Sequence, residues 1–242
     1  MGYIPNPKML GSGMLGCIPQ KGRCPNECPE CFFQSGRSYL EPLEDNLPNM
    51  PLAKDGMNRV IRVNDGNDSA NNQAFVIEAT KIYGMRFFNT CCPDRLKDYP
   101  GPVVVTVNPG KFTDKNFNLA DLAFNLMAVR ARVNTWNMMV VDRIVKHYSR
   151  HEVPIFLTFM AYFDTPIPKG HEKYYTFRKR TFNSYWAITT AGWEMVMSRY
   201  KYNKWVYSCG KIEGELGTTA CRHCGNCLRE YFATMARIRS TE

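Results

Sequence analysis

The sequence predicts an α/β protein: a partial barrel of mostly parallel strands with a cysteine-rich C-terminal extension. Three observations lead there. Short apolar runs alternate with segments of helical periodicity through the middle of the chain. The apolar runs are near-continuous, as in parallel strands covered on both faces. About six such runs occur, which suits a partial (βα)6 TIM-like barrel better than a closed eightfold one.

The series begins with the strand MLGC, which ends at Cys17. Residues 32–56, rich in Pro, Gly and Asn, read as a long loop. Met57–Asn64 (MNRVIRVN) reads as a strand. Asn71–Tyr83 reads as a helix, with Asp68 or Ser69 as N-cap and Gly84 at its end. Arg86–Thr90 (RFFNT) is a short strand, and the β-branched run Val103–Val107 between Pro102 and Pro109 is the clearest strand of all. Asn118–Leu126 is expected to be helical and Val129–Asn134 a strand. Met138–Ser149 is an amphipathic helix, because Val140, Val141, Ile144, Val145 and Tyr148 recur at helical spacing. Pro154–Met160 (PIFLTFM) reads as a buried strand. Residues 161–186 break the rhythm with Pro166 and Pro168 and read as a cap over the barrel mouth. A helix from about Thr190 to Tyr200 and a final amphipathic helix carrying Leu228, Phe232, Met235 and Ile238 complete the chain. The expected organisation is a barrel with its cap over 1–186 and a cysteine-bearing extension over 187–242.

No run of eighteen or more apolar residues appears, and Met1–Met9 lacks the apolar core of a secretory signal. A cytoplasmic protein with no membrane partner is therefore expected. The formal net charge of +9 favours an anionic partner such as a nucleotide or nucleic acid, or else marks a solvated basic surface. The densest basic patch, Arg178, Lys179 and Arg180, lies among Tyr174, Tyr175, Phe177 and Phe182. Basic residues interleaved with aromatics suit a phosphate and a stacked base, or pack their stems on an ordinary strand.

The chain has ten cysteines. In a reducing compartment, clustered cysteines bind metal more often than they form disulfides. Cys24, Cys28 and Cys31 form one group, and Cys209, Cys221, Cys224 and Cys227 another. Three thiolates on a four-iron cube leave one iron open to a small molecule, which a catalytic site needs and a fully ligated structural site lacks. A zinc site with Cys17 as fourth ligand is the alternative for the first group. The run Cys221-Arg-His-Cys224-Gly-Asn-Cys227 with distant Cys209 suits either an iron–sulfur cluster or zinc. His223, inside that run, reads as a surface residue.

The segment Cys24-Pro-Asn-Glu-Cys28-Pro-Glu-Cys31-Phe32, following a first strand and heading a βα series, resembles the radical SAM superfamily. The resemblance covers this loop and the strand–helix rhythm of residues 10–160. It implies a [4Fe-4S] cluster on Cys24, Cys28 and Cys31 whose open iron takes the amino and carboxylate groups of S-adenosylmethionine. An electron from the cluster would cleave the sulfonium and yield a 5'-deoxyadenosyl radical, which takes a hydrogen atom from the substrate. It also implies an electron donor such as flavodoxin or ferredoxin, and a second [4Fe-4S] cluster on Cys209, Cys221, Cys224 and Cys227, since members often carry one after the barrel. The family usually places an aromatic residue just before the third cysteine, near the adenine. Here that residue is Glu30, and Phe32 follows instead.

In a parallel barrel, ligands meet the C-terminal ends of strands. Asn64-Asp65-Gly66-Asn67-Asp68-Ser69 follows the second strand. It matches in position, though not in its letters, the glycine-rich segment that binds the methionine amino group in the family; otherwise it is a polar turn with a helix cap. The same argument selects Thr106 and Asn108, then Asn134, Thr135 and Asn137 with Arg132, for the ribose and carboxylate. Cys91 and Cys92 end the third strand, as hydrogen-atom donors, cluster ligands or inert buried thiols. His171 and Glu172 open the cap as acid–base groups. The substrate expected is a small molecule, nucleotide or nucleic acid. Two other readings stand beside this one: a zinc-stabilised nucleic-acid-binding protein without catalysis, and an iron–sulfur electron carrier.

Overall fold

Near-continuous apolar strands require cover on both faces. The computed structural model, which describes residues 2–28, 31, 33, 39–108, 119, 122–163, 165–181, 184–209 and 220–240, supplies it. In chain order the elements are β1 (Met14–Cys17), α1 (Ala53–Gly56), β2 (Val60–Val63), α2 (Gln73–Thr80), β3 (Arg86–Thr90), β4 (Val103–Val107) and β5 (Leu126–Val133). Then follow α3 (Met138–Arg150), β6 (Ile155–Phe159), β7 (Tyr175–Arg178), β8 (Tyr185–Ile188), α4 (Thr190–Ser198), β9 (Val206–Cys209), α5 (Cys221–Cys224) and α6 (Asn226–Arg239). A seven-stranded, all-parallel sheet in the order β1-β2-β3-β4-β5-β6-β9 curls into a half-barrel, and β7 and β8 pair apart as an antiparallel hairpin.

Side chains alternate across a strand, and the register sorts them into two faces. Outward go Leu15, Ile61, Val63, Phe88, Val105, Val129, Ile155 and Leu157. They pack under Val76 of α2, the stripe Val141, Ile144, Val145 and Tyr148 of α3, and Val196 of α4. Inward go Met14, Val60, Phe87, Val104, Ala128 and Phe156, which meet Cys227 and Tyr231 of α6. Helix α6 thus lies inside the curl. Its far end is tied down by Arg237, whose Nη2 donates to the Leu126 carbonyl at 2.9 Å. Toward the C-terminal ends of the strands the inner face becomes polar, with Gly16 beside Arg62, Thr106 beside Arg130, and Arg132 beside Thr158 beside Cys209.

Strands β3 and β4 have the bounds the sequence predicts, and α3 extends one residue further. Other expectations are corrected. The sheet has seven strands rather than about six, the seventh being β9 from the segment beyond residue 186. The described residues among 118–125 are not helical, and β5 begins at Leu126 because Val103 and Leu126 pair. Neither Asp68 nor Ser69 caps α2. Asn72 holds the N-cap position in a left-handed conformation, and α2 ends at Thr80, before Gly84. The 32–56 segment contains α1, and Asn49 bridges to Ile18. In α6 the buried stripe is Asn226, Cys227, Tyr231 and Thr234, one residue round from the one expected, and Phe232 is exposed. Among the described residues, no helix is long and apolar enough to cross a membrane.

Candidate functional site

The loops that follow each parallel strand gather at one end of the sheet, as the βα geometry dictates. The three-cysteine loop follows β1 and is laid across the ends of β2 and β3. Asn71 Nδ2 donates to Cys24 Sγ at 3.3 Å, and Asn26 Nδ2 to Cys91 Sγ at 3.2 Å. Cys28 Sγ lies 3.8 Å from Cys91 Sγ. A turn with Glu27 in the left-handed region and a bond from the Cys31 amide to the Cys28 carbonyl folds the loop back on itself. Burial raises the Cys24 thiol above its usual value; the Asn26 amide opposes this, while Asp68, Cys28 and Cys31 add to it. Phe32 and Glu30 lie outside the described residues. Cys17 is not part of this group. It is fully buried in the outer core beside Tyr83, and burial pushes its thiol up to about 12.

The segment after β2 is heavily cross-tied. Asn64 Nδ2 donates to Ser69 Oγ at 3.1 Å. Asp65 accepts from Asn6 at 2.6 Å and pairs with Arg62 at 3.0 Å. A Cβ on Gly16 would stand 2.8 Å from Asp65 Oδ2, so a glycine is needed there for the carboxylate to lie over β1. Gly66, at φ +148°, does permit a close approach, and what approaches is the ring of Phe33. The Asn67 side chain accepts from the Asp68 amide. Asp68 Oδ1 accepts from the Ala70 amide and the Thr90 hydroxyl, and Oδ2 from the Cys91 amide at 2.6 Å. Asp68 therefore ties the end of β3 to the turn after β2, which explains why it does not cap α2. The Cys91 thiol is engaged by Cys28, which favours its ionisation, but Cys92, burial and Asp68 prevail and push it up to about 12.

The second group converges on the inner face. Cys209 ends β9, Cys221 and Cys224 bracket α5, and Cys227 opens α6. Asn226 Nδ2 donates to the Ser208 carbonyl at 2.9 Å and fixes the start of α6 against β9. The Cys224 thiol donates to the Ser208 carbonyl at 3.9 Å; Cys224, Arg130 and Arg62 together outweigh burial and pull the Cys209 thiol below its usual value. Arg130 Nη2 lies 4.0 Å from Cys227 Sγ. Burial disfavours the Arg62 charge, but Asp65 and the Cys227, Cys221 and Cys209 thiols hold it firmly protonated. The donor set thus carries its own counter-charges. His223 is exposed and accepts from Arg222 Nε, as a surface residue does.

Among the described residues, the ligand atoms of Asp68, Cys91 and Cys92 lie within 4.8 Å of one another. No three sulfurs of either main cysteine group are gathered that tightly. Arg62 and Arg130 face the second group.

No family model, curated protein or solved structure matches the chain.

Thr106 lies on the inner face beside Arg130, and Asn108 is buried just past the end of β4. Asn134, Thr135 and Asn137 are largely committed to structure. Asn134 Oδ1 accepts from the Trp136 and Asn137 amides, and its Nδ2 donates to Tyr162. Thr135 meets His171 at 2.8 Å, and its amide donates to Tyr175. Asn137 Nδ2 donates to the Arg132 carbonyl. These bonds hold the cap on the end of β5. Sequence reasoning missed Arg62 and Arg130 as site residues. Their signal was present: each is a cation at an inward position of an otherwise apolar strand.

Proposed function

We propose that this chain is a radical SAM enzyme, with one [4Fe-4S] cluster on Cys24, Cys28 and Cys31 and a second on Cys209, Cys221, Cys224 and Cys227. The observation that carries the reading is the placement of the three-thiol loop across the C-terminal ends of two adjacent parallel strands, where such a sheet binds ligands. When bound, the first cluster would supply the electron that cleaves the sulfonium of S-adenosylmethionine. The chain's own residues hold the loop through Asn71 and Asn26, brace the strand ends through Asp68, and neutralise the second thiol group with Arg62 and Arg130. The inner polar residues Thr106 and Arg132 offer a hydroxyl and a cation toward the same mouth.

Anaerobic purification tests the reading. A brown protein with about eight irons, two cubes of four, is expected. Reduction with dithionite and addition of S-adenosylmethionine should release methionine and 5'-deoxyadenosine. A colourless protein holding zinc would refute it and favour the zinc-stabilised nucleic-acid binder.

The contact between Cys28 and Cys91 favours a second reading, in which Cys91 is a fourth protein ligand and the cluster only carries electrons. Cys91→Ser separates the two. The enzyme reading expects unchanged iron and retained cleavage of S-adenosylmethionine. The carrier reading expects an altered EPR spectrum of the reduced cluster and no cleavage by the wild type.

A further inference from the structure

The β7–β8 hairpin leaves the sheet from the C-terminal end of β6, the end that carries the three-cysteine loop, and it is rigidly mounted. The Thr135 amide donates to the Tyr175 hydroxyl, and Trp136 packs on Tyr162 and Tyr175 at ring separations of 5.1 and 5.4 Å. On the other side a Cβ on Gly192 of α4 would stand 2.8 Å from the Tyr174 carbonyl, so helix and hairpin touch through a glycine. The base of the hairpin, Tyr175 and Ile188, is buried.

Its outer part is built differently. Thr176, Phe177, Arg178, Lys179, Arg180 and Thr181 are all exposed. Phe177 is 50% exposed with its ring 5.1 Å from that of Trp186. Arg178 pairs across the hairpin with Tyr185, and the Arg180 guanidinium lies 4.9 Å over the Tyr185 ring while donating to its hydroxyl. Beneath, Lys173 lies 5.0 Å over Tyr174. From Lys173 to Trp193 the sequence has no Asp or Glu. Exposed aromatic surface and cations with no acidic partner among the described residues add no core to a folded hairpin, whereas basic groups set beside accessible ring faces match a chain of phosphates carrying bases that stack.

We propose that the β7–β8 hairpin is a docking surface for an unpaired nucleic-acid strand, with Arg178 and Arg180 on phosphates and Phe177 under a base. That the strand is the substrate, brought to the thiol-lined mouth, rests on the enzyme reading above. The binding itself does not, so the two fail separately: iron content and S-adenosylmethionine cleavage report on one, strand binding on the other.

Fluorescence anisotropy of the full chain with labelled fifteen-nucleotide RNA and DNA strands, the matching duplexes, heparin competitor and phosphatidylserine vesicles tests it. Wild type is expected to bind an unpaired strand better than its duplex, and the RNA and DNA arms show which sugar it prefers. R178Q/R180Q should lower the slope of log affinity against log salt by about 1.4, at about 0.7 per phosphate contact on a single strand. Phe177→Ala, at an exposed position that leaves the fold intact by circular dichroism, should weaken binding about five- to 150-fold through lost stacking. K201Q/K204Q, which removes two exposed cations ahead of β9 at the opposite end of the sheet, should leave the R178Q/R180Q effect unmatched. No strand binding by wild type at low salt, equal slopes for the two double variants, equal binding of duplex or full displacement by equimolar heparin, or binding to vesicles alone would each overturn the proposal.

Discussion

Arg62→Met is the perturbation with the largest consequence readable from the inner face. Arg62 projects from β2 into the curl and pairs at 3.0 Å with Asp65, the side chains being 20% and 7% exposed. Among the described residues Asp65 has one further side-chain donor, Asn6 at 2.6 Å. Removing the guanidinium leaves a buried carboxylate short of its cation. Breaking a buried pair from one side costs about 3–5 kcal/mol. Arg62 keeps a fifth of its side-chain exposure, so the lower end applies, about 3 kcal/mol, or roughly a hundredfold in the folding equilibrium. With a urea slope near 3 kcal/mol per molar, the midpoint should fall by about 1 M. The assay is urea unfolding of metal-free, thiol-reduced protein, so that cluster loss does not contribute. Arg62→Met/Asp65→Asn removes the orphaned charge and keeps an acceptor for Asn6; it should recover at least half of the loss. A single variant within about 0.3 M of wild type, or a double variant no better than the single, would refute the charge-pair argument.

Two further outcomes follow from particular contacts. Asp142 of α3 takes both arms of the Arg199 guanidinium and the Tyr200 hydroxyl, which outweigh burial and hold its carboxyl below the ordinary carboxylate range. A depressed carboxyl stabilises the fold above its unfolded value and ceases to as pH falls through the folded one. Asp142→Asn should therefore lose under about 1 kcal/mol at pH 7, an exposed-pair value, with the difference shrinking as pH falls through and below the ordinary carboxylate range; an equal difference at neutral and strongly acid pH would contradict the sign. Gly66→Ala places a Cβ 2.1 Å from the Phe33 ring at a backbone φ of +148°. Hydrogen exchange should rise in residues 24–28 and at 31 and 33 of the metal-free protein, and iron loading should fall by about half, with the second group untouched. Unchanged exchange would show that Phe33 does not anchor the loop.

What could be read locally was read well. The β-branched run of β4 and the five-residue β3 are strands by composition and flanking breakers, and α3 is a helix by the spacing of Val141, Ile144, Val145 and Tyr148. The grouping of the cysteines also needs only the sequence, since spacings of a few residues bring thiols together in almost any turn. The failures are of another kind. Strand β9 is four residues with Ser208 among them, and nothing in Val206–Cys209 marks a strand until β6 offers its edge. Leu228 and Phe232 look like the core stripe of α6, but the curl of the sheet selects Cys227, Tyr231 and Thr234.

By itself, then, the sequence determined the parallel α/β class, most strands and helices, and the two cysteine groups, because periodicity and short spacings are properties of a chain with its neighbours. Only the tertiary structure decided where those groups sit and what faces them. The side of a strand on which Arg62 or Arg130 emerges follows from register. The contact of Cys28 with Cys91, sixty-three residues away, follows from β1 and β3 ending at the same mouth. Burial of α6 inside the curl, which brings Cys227 to Arg130, follows from closing the sheet around it. Each joins residues distant along the chain, and no local rule carries that information.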